Sequence, residues 1–535
     1  MGVTMELRAE SMGRVEGELD VKCKIEDGVV TEAWTEGTMF RGFEIILKGK
    51  DPQAGLIVTP RICGICGGSH LTKASYALDV AWKTEMPPNA HLIRSIAQAS
   101  ETLQSIPRWF YALFGIDLVN KKYAKSAFYD EAVRRWAPFV GTYYEPGVTL
   151  SNKPVEIYAI FGGQWPHSSF MVPGGVMCGP TLSDVTRSRA ILQYWKDEWL
   201  EKYWLGCSIE RYMEIKTWDD MCAWMDENES QHNSDLAFFI RFCQDVGLDK
   251  YGVGPGNLLA CGAYIDKDHY HHPDIASRNE SLISKAGVLI DGEFHDYDQA
   301  NIREDHTYSF YRGSGQLHPF DGVTDPIDPK DGERDGKYTW AKAPRYLHNG
   351  KLLPMEVGTY SRQVMGGKPG GGDHQDHDGF MYDVHQRIGP SVMTRVLSRM
   401  HEAPKYVARV QKWLDDIDLH GKFYIKPQEP TEGMGWGATE ASRGSLQDWI
   451  KIKDGKIENY QVVTPTAWNI GPRDVNGTMG PMEQALCGSP IENPDDPVEL
   501  GHVVRSYDSC LVCTVHAYDA KTDRELARFK VGGGC

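Results

Sequence analysis

Alternating hydrophobic and polar positions predict two β-hairpins in this chain. Every second residue of Leu19–Ile25 is hydrophobic, and Glu26-Asp-Gly28 then turns the chain into a second alternating segment. Segment Trp449–Ile457 alternates in the same way around Asp454-Gly455. Period two is the spacing at which a strand buries one face, and Asp-Gly favours a tight hairpin turn. Both segments are therefore predicted to be hairpins.

Hydrophobic residues three and four positions apart predict three long helices. The first covers residues 87–107 and is expected to end at Pro107, because proline lacks the amide hydrogen that continues a helix. The second covers 181–205, with a Thr-x-x-Asp capping motif at its start and a glycine after its end. Its aromatic residues, four apart, are interpreted as core packing. The third covers 391–413, with a kink expected at Pro404.

The remaining pattern completes the predicted fold class. Residues 264–340 carry many Asp, Gly, His and Pro residues and little helical period, which predicts short strands and loops. A chain of 535 residues is too long for one ordinary core and is expected to contain two or more closely packed subregions. The sequence therefore indicates an α+β fold that is predominantly helical, with long central helices and peripheral hairpins.

Composition and charge exclude several classes of protein. Hydrophobic residues make up 41% and charged residues 24% of the chain, as in ordinary globular proteins. A net charge of −17 argues against a nucleic-acid partner, which calls for a basic face. No run of about 18 apolar residues occurs, and the first residues form no apolar signal core. The chain is accordingly expected in the cytoplasm or at the cytoplasmic face of a membrane, without a transmembrane helix or signal peptide.

Two cysteine pairs near opposite ends of the chain carry its candidate chemistry. Cys63 and Cys66 lie three positions apart, and Cys510 and Cys513 repeat that spacing. At this spacing both sulfur atoms of a pair can turn toward one metal ion. The halves of a zinc site usually lie within a few tens of residues of each other, inside one small module. A site that joins both ends of a large chain favours a buried catalytic cluster, with a structural four-cysteine zinc site as the alternative.

The complete motifs resemble those of a known family. The first reads Arg61-Ile-Cys-Gly-Ile-Cys-Gly-Gly-Ser-His70, and the second reads Asp508-Ser-Cys-Leu-Val-Cys-Thr-Val-His516. Both are similar to the motifs of the large, catalytic subunit of the nickel–iron hydrogenases. Further blocks that resemble this family are Gly13–Gly17, Met39–Glu44, Lys342–Tyr346, Glu356–Gly358, Ser442–Gly444 and Thr464–Asn469. The resemblance covers essentially the whole chain and implies the large-subunit fold over residues 1–516.

The resemblance implies a nickel–iron centre and its protein ligands. By it, Cys63, Cys66, Cys510 and Cys513 bind nickel, and the second cysteine of each pair also bridges to an iron. Thiolates suit a borderline-soft ion that changes oxidation state better than oxygen ligands do. In the family the iron also carries carbon monoxide and cyanide ligands made by other proteins. Thr466 is expected to form a hydrogen bond to an iron-bound cyanide.

The resemblance also assigns roles to four other residues. Splitting hydrogen requires a base for the proton, and Glu16 matches the carboxylate that relays protons from a nickel thiolate. His70 would donate a hydrogen bond toward a bridging thiolate and so tune the electron density of that sulfur. Glu44 and His516 match the ligands of a nearby magnesium ion. Without the family context, Glu16 would be interpreted as a surface or salt-bridged glutamate and His70 as a core histidine.

An arginine and two aspartates are predicted to lie over the metal centre. Arg443 resembles the arginine above the nickel–iron face, where a fixed guanidinium stabilises developing charge. Asp117 and Asp508 resemble the carboxylates that hold this arginine. Ser442 and Ser509 stand where the family usually has proline, which weakens the assignment but leaves the metal ligands unaffected. Ordinary buried ion pairs are the alternative for both aspartates.

Electron transfer requires a partner subunit. The chain has no second cysteine array that could hold iron–sulfur clusters, so the chemistry and the family both imply an iron–sulfur small subunit. The predicted function is that of an uptake hydrogenase: it cleaves hydrogen heterolytically and passes electrons to that subunit, then to a quinone or another acceptor. A higher oligomer of heterodimers is expected. The alternatives are a regulatory, hydrogen-sensing hydrogenase subunit and a complex I-type subunit, which binds no nickel.

Residues 517–535 resemble a C-terminal extension that is removed during maturation. In the family, a protease commonly cuts the precursor just after the last motif histidine, once nickel-insertion proteins have delivered the metal. An uncut extension would hold the second cysteine pair away from the core, and its removal would let His516 close the site. The sequence therefore predicts a catalytic region over 1–516 and a removable segment over 517–535.

Overall fold

The computed structural model describes residues 4–9, 12–268, 278–328, 334–367 and 379–510. Within these ranges, no helix is both long and apolar enough to cross a membrane. Cys513, His516 and the predicted extension 517–535 lie outside the described residues.

The strands of the described residues form small sheets in which every strand pair is antiparallel. Their bounds are β1 Thr4–Ala9, β2 Leu19–Glu26, β3 Val29–Gly37, β4 Met171–Val172, β5 Gly175–Val176, β6 Leu258–Ala260, β7 Ala263–Ile265, β8 Leu282–Ser284, β9 Gly287–Ile290, β10 Glu293–His295, β11 Ile302–Asp305, β12 Ala343–His348, β13 Lys351–Leu353, β14 Gly433–Ala441, β15 Gly444–Lys453 and β16 Lys456–Val463. The three-stranded sheets have the orders β1-β2-β3, β10-β9-β6, β11-β12-β13 and β14-β15-β16.

The helices supply most of the buried interior. Their bounds are α1 Phe43–Leu47, α2 Ala54–Val58, α3 Gly67–Ala81, α4 Pro88–Trp109, α5 Tyr129–Trp136, α6 Tyr144–Leu150, α7 Lys153–Gly162, α8 Leu182–Trp195, α9 Ile209–Tyr212, α10 Trp218–Met225, α11 Glu229–His232, α12 Asp235–Val246, α13 Thr359–Gly366, α14 Phe380–Arg387, α15 Val392–Asp415, α16 Pro465–Ile470, α17 Pro481–Leu486 and α18 Val498–Ser506. Almost every residue of α4 is buried, and this helix packs against α7 and α15. The fold is α+β, as predicted.

Both predicted hairpins are present. Strand β2 pairs with β3 from Leu19 opposite Gly37 to Glu26 opposite Val29, and the hydrophobic face of β2 is buried at alternate positions. Strands β15 and β16 meet at Asp454 and Gly455, whose φ angles of 50° and 69° fit a tight turn. This second hairpin is longer than predicted, because β15 begins at Gly444. The first half of β15 is buried on both faces and therefore shows no alternation in the sequence.

Proline does not end the first long helix, which corrects the predicted boundary. Helix α4 continues two residues past Pro107 to Trp109, and a π-helical turn over Phe110–Phe114 follows. Proline inside a helix costs about 3 kcal/mol. Burial of Ile106 and Trp109 on either side contributes about 1.5–3 kcal/mol each, which offsets that cost. Helix α15 likewise runs unbroken through Pro404.

The capping motif of the second long helix is confirmed. The Thr181 hydroxyl accepts the amide hydrogen of Asp184 at 3.2 Å, and the Asp184 carboxylate accepts that of Thr181 at 2.8 Å. Helix α8 gives way to π-helical turns over Lys196–Leu205, which end at Gly206 with a φ of 68°. The start and the end therefore agree with the sequence pattern, whereas the π-helical turns were not predicted.

Glycines in β14 let helix α3 lie directly on the sheet. A Cβ atom at Gly437 would lie 1.9 Å from the Lys73 carbonyl oxygen, and one at Gly435 would lie 1.9 Å from that of Ala77. Neither distance is compatible with a side chain, so only glycine permits this approach. The contact fixes α3, and with it Cys66, which immediately precedes the helix.

Candidate metal centre

Three of the four predicted cysteine ligands meet at one buried point. The sulfur atoms of Cys63, Cys66 and Cys510 all lie within 4.8 Å of one another, and those of Cys63 and Cys510 are 3.2 Å apart. Each side chain is at most 4% exposed. Residues 447 positions apart in sequence are thereby brought into contact. Cys513, the fourth predicted ligand, lies outside the described residues.

The first cysteine pair sits between a tight turn and the start of a helix. Cys63 follows the 3₁₀ turn Thr59–Arg61, and Cys66 directly precedes α3, where its carbonyl accepts the amide hydrogen of His70 at 3.1 Å. Cys66 is therefore fixed by the start of a helix that itself packs directly on β14.

Glu101 fixes the first turn of that helix, a role that the sequence pattern did not predict. Its carboxylate accepts the amide hydrogens of Gly68 at 2.7 Å and Ser69 at 2.9 Å, and the indole N–H of Trp165 at 3.1 Å. Complete burial raises the pKa of Glu101 to about 7, although these hydrogen bonds oppose the rise. An acidic residue inside the long hydrophobic pattern of α4 was the available signal.

The second cysteine motif is held by backbone and side-chain contacts. The Thr466 hydroxyl oxygen accepts the amide hydrogen of Cys510 at 2.9 Å. Cys510 also pairs with Glu16 as an isolated parallel β-bridge, and the Ser509 carbonyl accepts the Glu16 amide hydrogen at 3.3 Å. Thr466 therefore lies at the predicted site and supports a ligand cysteine through its main chain.

Glu16 lies beside the cysteines, as the relay hypothesis requires. Its side chain is half-buried, and burial raises the pKa above its ordinary value. The nearby Arg443 opposes this rise, whereas Cys63 and Asp508 add to it. Glu16 is thus close enough to the Cys63 thiolate and to Arg443 to interact electrostatically with both.

Arg443 and Asp508 form a buried ion pair next to the cysteines. Arg443 Nη2 lies 3.1 Å from Asp508 Oδ1. Burial disfavours the charged guanidinium, but Asp508 and the three cysteines raise the pKa of Arg443 well above its ordinary value. Arg443 Nε and Nη1 are buried without a hydrogen-bond acceptor among the described residues. Two strong donors are therefore available to a bound group.

Asp117 does not hold Arg443, which differs from its predicted place. Its carboxylate instead forms ion pairs with Arg14 and Arg505. The second residue that holds Asp508 is Arg399, whose Nε lies 3.9 Å from Asp508 Oδ2. Sequence spacing cannot distinguish these pairings, because each charged residue has several possible partners along the chain.

A charged stripe on α15 was also missed. Arg395 donates two hydrogen bonds to Glu356, at 2.7 and 2.8 Å, and Arg399 donates to the carbonyls of residues 506 and 507. Glu402 binds Arg362, which in turn donates to the Ala441 carbonyl at 2.8 Å. Arg395, Arg399 and Glu402 are spaced i, i+4 and i+7, so they lie on one face of this buried helix. That spacing was the available sequence signal. The stripe supports the segments that carry both Arg443 and Asp508.

His70 is completely buried in the first turn of α3. Burial, followed by the nearby Lys73, lowers the pKa of His70 well below its ordinary value, although Cys63 opposes this effect. The imidazole is therefore neutral at neutral pH. A neutral ring keeps one N–H donor, as the predicted hydrogen bond toward a thiolate requires.

A comparison with known protein families decides between the candidate chemistries. The model of the nickel-dependent hydrogenase family matches residues 41–137 and 139–516. The chain belongs to this family. It is a nickel–iron hydrogenase catalytic subunit, and the family match favours this interpretation over a zinc protein or a complex I-type subunit.

Relatives of this hydrogenase extend over its whole length. The periplasmic [NiFeSe] hydrogenase large subunit of Desulfomicrobium baculatum is 31% identical and covers 97% of this chain and 96% of its own. The uptake hydrogenase large subunit of Rhodobacter capsulatus is 28% identical over 95% and 94% of the two chains. The quinone-reactive Ni/Fe-hydrogenase large chain of Wolinella succinogenes is 26% identical over 99% and 98%. These names imply a small-subunit partner for this hydrogenase.

The solved structures confirm the α+β fold of the hydrogenase. The H₂-activated [NiFeSe] hydrogenase of Desulfomicrobium baculatum superposes with a TM-score of 0.79 at 29% identity, covering 96% of this chain and all of that one. Sequence motifs and three-dimensional fold therefore agree on one family.

The donor set fits a nickel–iron centre. The clustered cysteines offer soft thiolate ligands in a dry environment, which suits nickel. The two donors of Arg443 that lack an acceptor among the described residues could bind small polar ligands on the metal. The cysteine cluster is also the one group of three or more His, Cys, Asp or Glu ligands that the described ranges bring together.

Glu44 has mainly protein partners at the predicted magnesium site. Lys342 Nζ donates to Glu44 Oε2 at 2.9 Å, and the Thr324 hydroxyl donates to the same oxygen. The amide of Val462 donates to Oε1 at 3.0 Å. The second predicted ligand, His516, lies outside the described residues. The negative charge of Glu44 is therefore balanced by the Lys342 ammonium group.

Proposed function

We propose that this hydrogenase works in hydrogen uptake, passing electrons to an iron–sulfur small subunit and from there to a quinone. The single observation that carries the site is the buried cluster of Cys63, Cys66 and Cys510. The names of the relatives from Rhodobacter capsulatus and Wolinella succinogenes support the direction and the acceptor. Membership of the nickel-dependent hydrogenase family, together with the uptake hydrogenases among the relatives, supports hydrogen oxidation by this subunit.

The protein ligands are Cys63, Cys66, Cys510 and Cys513. When bound, the nickel–iron centre supplies the heterolytic cleavage of hydrogen, and carbon monoxide and cyanide on the iron come from maturation proteins. Burial of the cysteines excludes water, which strengthens every electrostatic interaction at the site. The Thr466 side chain, which already accepts from the amide of Cys510, keeps its hydroxyl hydrogen for a polar ligand nearby.

Glu16 takes the proton away from the site. Burial raises the pKa of Glu16 toward neutral pH, and a group with a pKa near the working pH both accepts and releases a proton efficiently. Its proximity to Cys63 supports a role in taking up a proton from a ligand thiolate. Arg443, held by Asp508, fixes positive charge beside both groups.

Replacement of Glu16 by glutamine tests the relay. The amide keeps the shape of the side chain but cannot take up the proton, so hydrogen-dependent dye reduction should fall at least about 100-fold at unchanged nickel and iron content. Wild-type rates in Glu16→Gln, at matched nickel content, would show that protons leave by another route.

Metal analysis together with hydrogen-dependent dye reduction tests the function as a whole. The purified complex should contain nickel and iron, a second subunit with iron–sulfur clusters, and activity toward a quinone analogue. Zinc without nickel would overturn the proposal. A co-purifying histidine kinase with very slow turnover would instead identify a hydrogen sensor. Magnesium bound by Glu44 and His516 remains part of the proposal, and the same elemental analysis measures it.

We further propose that residues 517–535 are removed from the mature enzyme. The family match ends at residue 516, which is the final motif histidine. Cleavage there would let the second cysteine motif close over the metal. Intact-mass measurement of active enzyme should give a large subunit ending at His516; a mass that includes residues 517–535 would contradict cleavage. The cleaved subunit is expected to assemble into an oligomer of heterodimers.

A further inference from the structure

We propose that Asp117 is a positioning residue that holds residues 12–18, here called the Glu16 loop, against Cys510 by acting through Arg14 and Arg505. We call these three charged residues the Asp117 clamp. The inference rests on the proposed relay role of Glu16 and names what places that carboxylate. It also accounts for a buried aspartate that does not contact Arg443.

The carboxylate of Asp117 is divided between two arginines. Oδ1 accepts from Arg14 Nη2, and Oδ2 accepts from Arg505 Nη1. Only 6% of the Asp117 side chain is exposed. Burial by itself would raise the pKa of this carboxyl group, but Arg505 and Arg14 together hold it below its ordinary value. Asp117 is therefore a charged bridge at neutral pH.

Both arginines also donate hydrogen bonds to backbone carbonyl groups. Arg505 donates to the Gly13 carbonyl through Nε at 3.1 Å and through Nη2 at 2.8 Å. Arg14 donates through Nη1 to the Leu113 carbonyl at 2.8 Å. Gly13 is thus held through its carbonyl group, and Arg14 is held through its side chain.

The backbone conformation of Arg14 depends on such anchors. Its φ of 60° lies in the left-handed region, which residues other than glycine seldom adopt. A residue in this conformation persists where its surroundings overdetermine it. The contacts with Asp117 and Leu113 do so here, and they turn the chain so that Glu16 reaches Cys510.

The other end of the loop is tied to the second cysteine motif. The Glu16 amide donates to the Ser509 carbonyl at 3.3 Å, and Glu16 pairs with Cys510. Arg505 belongs to α18, which ends only four residues before Cys510. Residues 505–509 therefore bind the loop at two points: the Arg505 side chain binds Gly13, and the Ser509 carbonyl binds the Glu16 amide.

The clamp makes a prediction that an ordinary stabilising ion pair does not. Loss of an ion pair lowers stability wherever it lies, but loss of the clamp loosens the Glu16 loop in particular. Asp79 provides the matched control. It is also buried, and it is bound to Arg94 at 2.7 Å and to the amide of Gly174 at 2.7 Å. It lies on α3 about 20 Å along the helix axis from Cys66.

Hydrogen–deuterium exchange of the purified complex tests the position of the loop. Asp117→Asn keeps the shape of the side chain but weakens both arginine contacts, so amides of residues 12–19 should exchange at least about tenfold faster. Arg505→Lys keeps the charge but loses the paired donors to Gly13, and should loosen the same peptide. Asp79→Asn should leave this peptide unchanged. Nickel and iron contents are measured on each variant.

Dye reduction in light and heavy water then tests the consequence for the relay. At matched nickel content, Asp117→Asn should lower the rate about tenfold and enlarge the solvent isotope effect, because misplacement slows proton transfer. Native exchange at residues 12–19 in both clamp variants overturns the positioning role. Equal loosening in Asp79→Asn also overturns it. If Asp117→Asn does not fold, Arg505→Lys decides.

The two proposals fail in different ways. If Glu16→Gln keeps the wild-type rate, the relay is wrong, yet faster exchange in the clamp variants would still show that Asp117 positions the loop. If Glu16→Gln is slow but the clamp variants exchange normally, the relay stands and the clamp is wrong.

Discussion

At the residue scale, the second cysteine motif depends on hydrogen bonds to its main chain. Thr466 accepts the amide hydrogen of Cys510, and both groups are fully buried or nearly so. A buried amide without an acceptor costs about 1–3 kcal/mol. The hydroxyl oxygen of Thr466 thus helps to hold a predicted metal-ligand residue through its main chain.

Replacement of Thr466 by valine is expected to weaken metal retention. Valine has nearly the same shape but no acceptor, so the amide of Cys510 is left unpaired at a cost of about 1–3 kcal/mol. The purified variant should melt at a lower temperature and contain less nickel. Thr466→Ser keeps the oxygen and serves as the control. Normal nickel content and melting temperature in Thr466→Val would contradict the role.

At the scale of single elements, the first turn of α3 is packed too closely for any side chain at Gly68. A Cβ atom there would lie 2.5 Å from Tyr158 Cε2 and 2.8 Å from Glu101 Oε2. Both neighbours are buried and have little room to move. The close approach lets Glu101 bind the free amides of the helix that follows Cys66.

Alanine at Gly68 should therefore disturb the metal centre through the helix. Overpacking of this kind costs about 1–3 kcal/mol, and here it would push Glu101 away from the amides it binds. We expect Gly68→Ala to lower both the melting temperature and the nickel content. Gly64→Ala, in the segment just before the helix, is the comparison, since the nearest atom to its Cβ lies 3.8 Å away. Equal behaviour of the two variants would refute the packing argument.

At the scale of the whole molecule, buried neutral histidines make stability depend on pH. Burial lowers the pKa of His91 and of His306 to about 3, and that of His502 to about 4. A histidine in the unfolded chain has a pKa of about 6.5, so the unfolded state takes up protons first as the pH falls. This contribution to stability is complete above pH 6.5. It is lost progressively as the pH falls from 6.5 toward the folded-state values.

The melting temperature of the complex should accordingly fall between about pH 6.5 and pH 4. His502 alone accounts for about 3 kcal/mol over that range, because one pKa unit corresponds to about 1.4 kcal/mol. His502→Phe should show a smaller decline, since phenylalanine can pack between Phe114 and Tyr123 and does not titrate. His420→Phe, at an exposed position, is the control and should retain the wild-type slope. Identical slopes in His502→Phe and wild type would contradict this explanation.

Elements formed by contacts between residues close in sequence were predicted correctly, whereas features that depend on distant residues were not. The hairpin at Asp454-Gly455 and the Thr181 cap arise from residues a few positions apart, so local patterns predicted both. The continuation of α4 past Pro107 depends on burial of Trp109 in a core assembled from distant segments. The doubly buried half of β15 lacks alternation for the same reason.

The sequence by itself determined the family, the cysteine pairs and the elements whose periodicity is local. Short motifs record which chemical groups are present and how far apart they lie along the chain. Only the tertiary structure decided which charged groups pair: Asp117 with Arg14 and Arg505, and Asp508 with Arg443 and Arg399. Ion pairing acts over a few ångströms in space, and every buried arginine is chemically able to pair with every aspartate. The choice therefore depends on how α15, α18 and the Glu16 loop pack together.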